Sequence, residues 1–79
     1  MASFALEIIG RPVHDVAGGV LGSVVDLRIA EGTGALTHII VAPLENIDTD
    51  QLPWPSTNRL VEVPIDVVQQ IASVVRLHQ

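Results

Sequence analysis

Between Leu21 and Pro43 the chain carries a pattern that leaves little freedom of fold: a run alternating with period two, a turn holding two glycines, and a second apolar run. From Leu21 to Ile29 the odd positions are Leu21, Ser23, Val25, Leu27 and Ile29, while Asp26 and Arg28 fall on even ones. That period belongs to a half-buried strand. Glu31-Gly32-Thr33-Gly34 turns the chain and Ala35 to Pro43 returns it, so the segment reads as an antiparallel hairpin. The returning arm differs from the outgoing one. Leu36, His38, Ile40 and Ala42 share one face and Thr37, Ile39 and Val41 the other, and both faces are largely apolar. A small open sheet covers only one side of such a strand from within, which predicts that a protein surface covers the other. The alternative is that closure of a barrel and the terminal segment cover both.

The rest of the chain supports an all-β class. Twelve valines, eight isoleucines and four threonines in 79 residues are stiff at χ1 and suit a pleated surface. A chain of this length makes one domain, residues 1–79, which buries only ~60% of its unfolded surface. It has no cysteine, so neither a disulfide nor a thiolate metal site staples it. The core is then purely hydrophobic, extended by a second copy of the chain. Ala5 to Ile9 is apolar and reads as a helical turn or a first strand, and Pro12 confines its short segment to an edge or a strand start. Asp15 to Gly19 is a turn, and residues 44–58 form a connection long enough to suggest a function. Arg59 to Val63 alternates again, Asp66 caps a helical turn through Gln70, and Ile71 to Leu77 is a last strand. The expected architecture is a small barrel of five to six short antiparallel strands with one short helical turn near the C-terminus. Leu21, Val25, Leu27, Ile29, Val61 and Val63 fill its interior.

Charge narrows the partners. Nine acidic residues face four arginines and no lysine, for a net charge of −5. Nucleic acid and anionic membrane surfaces are recognised through clustered Lys and Arg, so neither is an expected partner. An RNA-binding face would rest on Arg11, Arg28, Arg59 and Arg76 alone. The longest apolar stretch, Ile39 to Leu44, falls far short of the ~20 residues of a spanning helix. The first residues lack the basic region of a secretion signal, which makes the cytoplasm the expected compartment.

The search for chemistry returns no catalytic constellation. His14, His38 and His78 lie in different segments, without a second ligand at the spacing of a zinc motif. His38, inside an apolar strand, reads as a partly buried or interface side chain. Glu45, Asp48 and Asp50 lack the spacing, central glycine and final glutamate of a calcium loop, and read as a solvated loop. Gly18-Gly19-Val20-Leu21-Gly22 leads into a strand with no lysine after it, so it is a turn rather than a phosphate cradle. No cofactor or metal is expected, and the expected protein is not an enzyme. What remains is surface suited to binding. Trp54, between Pro53 and Pro55, offers a large contact area on a restricted backbone, either as a partner anchor or as a lid folded over the barrel end. Leu52, Pro53, Trp54 and Pro55 are the expected partner contact, and Ile39, Val41 and Val74 the expected self-association surface.

Three blocks in order resemble the PRC-barrel family, known from photosynthetic reaction-centre H subunits and a ribosome-maturation factor. Ile9-Gly10-Arg11-Pro12-Val13, Gly19 and Leu21-Gly22-Ser23-Val24-Val25-Asp26 are similar to the family's opening. Glu31 through Gly34, Leu36 and Ile39-Ile40-Val41 are similar to its hairpin. Val63-Pro64-Ile65-Asp66-Val67-Val68 and Ile71 to Leu77 are similar to its closing block. As a free-standing domain the chain resembles archaeal PRC-barrel proteins of cell division, adaptors that bind SepF, the membrane anchor of the FtsZ ring. The resemblance implies a homodimer that bridges partners. A ribosome- or RNA-associated factor and a small ligand-binding barrel are the alternatives. The Pro-Trp-Pro loop and the lack of lysine depart from common members.

Overall fold

The chain crosses one sheet seven times, in a computed structural model that describes residues 7–79. The strands are β1 (Pro12–His14), β2 (Val20–Ile29), β3 (Leu36–Pro43), β4 (Ser56–Thr57), β5 (Leu60–Pro64), β6 (Val68–Ile71) and β7 (Val75–Leu77). Two 3-10 turns, Thr49–Gln51 and Ile65–Val67, interrupt them. The hydrogen-bonded order is β4-β5-β3-β2-β1-β7-β6. The fold is all-β, as expected, with seven strands where five or six were anticipated. Two places account for the difference. Ser56–Thr57, inside the expected loop, forms β4. The expected helical turn from Asp66 through Gln70 is a 3-10 turn that ends at Val67, so that Val68–Ile71 is β6, with a tight reversal at 72–74 before β7. A second difference is that β1 and β7 pair in parallel, while every other pairing is antiparallel. The anticipated first segment, Ala5 to Ile9, lies partly outside the described residues.

The long hairpin β2–β3 forms as its pattern dictates, with Val24 opposite Val41 and Leu27 opposite Ile39. The pairing is not continuous, because the register shifts between Val24 and Asp26 and again between Arg28 and Ile29. An extra residue in one strand reverses which side chains point inward beyond it. This corrects the expected interior. Val24, just before the first shift, is fully buried, whereas Val25, skipped within it, and Ile29, beyond the second, are 40% and 54% exposed. Leu21, Val61 and Val63 are buried as expected, and Leu27 packs against the core.

The inner face is a filled core. Val13, Leu21, Val24, Ile39, Val41, Val61, Val63, Val67, Val75 and Leu77 form one cluster, fed by strands from both halves of the sheet. Gly22 is where β2 approaches β3 too closely for any side chain. A Cβ there would collide with the Ala42 carbonyl oxygen and lie 2.7 Å from the Pro43 Cα.

Residues 44–58 are less loose than their composition suggests. The Asp48 carboxylate accepts a hydrogen bond from the Asp50 amide at 3.0 Å and starts the first 3-10 turn. Asn58 and Arg59 both have positive φ, at 52° and 66°, as a two-residue turn of the primed type requires between β4 and β5. Arg59 then reaches back across the loop, donating to the Ile47 carbonyl at 2.7 Å and to the Leu44 carbonyl at 2.9 Å. The loop is thus tied to the turn that follows it.

Candidate functional site

The outer face of β3 holds the most structured surface feature. Ile40 stands directly opposite Asp26 of β2 and Glu62 of β5, so these three side chains emerge on one side of the sheet. Arg28 and Leu60 lie two residues along their strands from Asp26 and Glu62 and join the same side. With Thr57 and Asn58 they line a depression of about 220 Å³.

Ile40 forms its floor and is only 6% exposed, although it faces away from the core. Long neighbouring side chains hide it. Arg28 spans the strand above it and meets Glu62, Nη2 to Oε1, at 3.5 Å. Leu60, 39% exposed, supplies the second apolar wall. The Asp26 carboxylate accepts from the Leu27 amide at 2.8 Å through one oxygen. The site therefore has an apolar base and a rim of two carboxylates and one guanidinium. Such a surface offers apolar contact at its base and charged hydrogen-bonding groups at its rim.

The residues expected to bind partners are distributed otherwise. Ile39 and Val41 have no exposed area and belong to the chain's own core, which corrects their assignment to a self-association surface. Their face of β3 is covered from within, because β5, β2 and β7 all turn apolar side chains toward it. Val74 is half-buried in the reversal between β6 and β7. Trp54 is 8% exposed and belongs to the buried core cluster, so the indole is folded back over the core and is not free surface. Leu52 packs against the same cluster, while Pro53 and Pro55 remain exposed.

The three histidines stay apart. His38 Nδ1 lies 3.0 Å from the Thr37 hydroxyl, and His78 Nε2 donates to the Asp66 carbonyl at 2.8 Å. His14 stands on β1 opposite Arg76 of β7. Among the described residues no group of three or more His, Asp or Glu is placed to hold a metal ion. The arginines are dispersed too. Arg11 donates to the Ala72 carbonyl, Arg59 ties the loop, and Arg28 pairs with Glu62. No described helix is long and apolar enough to cross a membrane.

Sequence reasoning missed the depression, although its signal was present. Asp26 and Arg28, and again Leu60 and Glu62, are spaced by two and so share a face within each strand. What the spacing alone lacks is the register that sets both pairs beside Ile40. A family model described as PRC-barrel domain matches residues 2–79. A comparison with curated proteins returns no match.

Proposed function

The chain belongs to the PRC-barrel domain family, and from that premise we propose that it is a non-enzymatic adaptor that binds other proteins through the outside of its sheet. The observation that carries this reading is where the polar and apolar groups lie. The interior is packed with Val, Ile and Leu, while the depression with charged groups at its rim opens on the outer face of β2, β3 and β5. A filled barrel leaves its exterior as the working surface. In its more specific form the proposal is a homodimer acting in archaeal cell division, which binds SepF beside the FtsZ ring. On that reading the protein is cytoplasmic and is recruited to the division site. Support for the specific form is the likeness of the three sequence blocks to the division adaptors.

Two measurements test it. Calorimetric titration of the domain with purified SepF should give a saturable heat, and its absence overturns the division role. Light scattering across a dilution series should give twice the chain mass, and a folded monomer at every concentration overturns the dimer.

A further inference from the structure

We infer that the depression over Ile40 is a docking site for a basic side chain, lysine or arginine, presented by a partner protein. The inference rests on the adaptor reading and names the chemistry that reading leaves open. At about 220 Å³ the depression is smaller than the ~300–1,000 Å³ of a typical small-molecule pocket, which suits one long side chain. Its base, Ile40 and Leu60, matches an aliphatic stem. Asp26 and Glu62 flank Ile40 on the two adjacent strands. They are therefore two strand spacings apart at the backbone, roughly 10 Å, wide enough for a stem to lie between them.

The rim is ready for a cation. Asp26 uses one carboxylate oxygen on the Leu27 amide. Glu62 meets Arg28 at 3.5 Å, well beyond the ~2.7–2.9 Å of a strong charge-assisted hydrogen bond. The Arg28 side chain is 56% exposed, so it can swing toward solvent and release Glu62 at small cost. An incoming ammonium or guanidinium then takes its place between two carboxylates.

Charge also says who supplies that group. The chain has no lysine, so a second copy could offer the depression only an arginine. Of its four arginines, Arg28 lines the depression itself, Arg11 and Arg59 are bonded to the chain's own carbonyls, and Arg76 stands in β7, paired on both sides, between the buried Val75 and Leu77. The fitting occupant is a different protein with an exposed basic residue between apolar ones.

The test is a titration of the isotopically labelled domain, followed residue by residue by NMR. One capped peptide has the order Gly-Leu-Lys-Leu-Gly, and a second has glutamate in place of its lysine. Saturable shifts are expected at Asp26, Arg28, Ile40, Leu60 and Glu62 with the lysine peptide and not with the glutamate one. Asp26→Asn combined with Glu62→Gln should weaken binding about tenfold or more, which is ~1.4 kcal/mol. Leu60→Ser, an exposed position, should weaken it without touching charge. Shifts elsewhere, an equal response to both peptides, or undiminished binding by the double variant would overturn the proposal. So would shifts at these residues on self-dilution alone, which assign the depression to a second copy. If SepF still binds while the peptides fail, the docking site is wrong and the adaptor reading survives on another surface.

Discussion

The two faces of β3 carry similar residues and are buried by different means. On the inner face Ile39 and Val41 are enclosed by Val24, Val61, Val63 and their neighbours, all short, stiff side chains from adjacent strands. On the outer face Ile40 is almost as inaccessible, yet what covers it is an exposed arginine, a glutamate and a leucine at the sheet surface. The first cover is permanent, because close-packed β-branched groups have nowhere to go. The second moves aside when its charged members find better partners. An apolar residue hidden from water is thus not always core. The outer covering can be opened by a ligand, and the inner one only by unfolding.

Removing Trp54 is expected to have the largest effect on this contrast, since its indole closes one part of the inner cluster. Trp54→Ala should lower stability by about 3–5 kcal/mol in urea denaturation. A loss below 1 kcal/mol would mean that the loop caps nothing. Ile39→Ala should follow at about 2–4 kcal/mol, because rigid neighbours leave a cavity behind. Ile40→Ala, one residue along, should cost about 1–2 kcal/mol, since the flexible cover can settle into the space. Equal losses at Ile39 and Ile40 would erase the distinction between the faces. The smallest expected effect is the coupling of Arg28 to Glu62. A double-mutant cycle should give less than about 1 kcal/mol, shrinking with added salt, as for other exposed pairs. A larger, salt-insensitive coupling would mean that the cover is locked and the depression does not open.

Much of the fold was legible because it depends on local chemistry. Period-two alternation, the glycine pair at Gly32 and Gly34, and the break at Pro64 place β2, β3 and β5. The interior assignment went wrong at Val25 and Ile29 for a physical reason. A bulge costs one residue of register and leaves no mark in an apolar run where Val24 and Val25 are the same residue type. The tight reversal inside 71–77 was equally silent, since neither glycine nor proline marks it. Pattern alone shows that both faces of β3 are apolar, and not that Arg28 and Glu62, far apart in the chain, meet over Ile40 on the outer one.

The sequence by itself determined the class of fold, the hairpin at its centre, the absence of any thiol, and an acidic surface poor in cations. These follow from properties that each residue carries wherever it sits: χ1 stiffness, charge, backbone freedom. Only the tertiary structure decided which residues face inward past the bulge, that Trp54 packs on the core, and that Asp26, Ile40 and Glu62 stand in one row. Those depend on strand register, which arises from pairing between distant segments and has no address in any single stretch of chain.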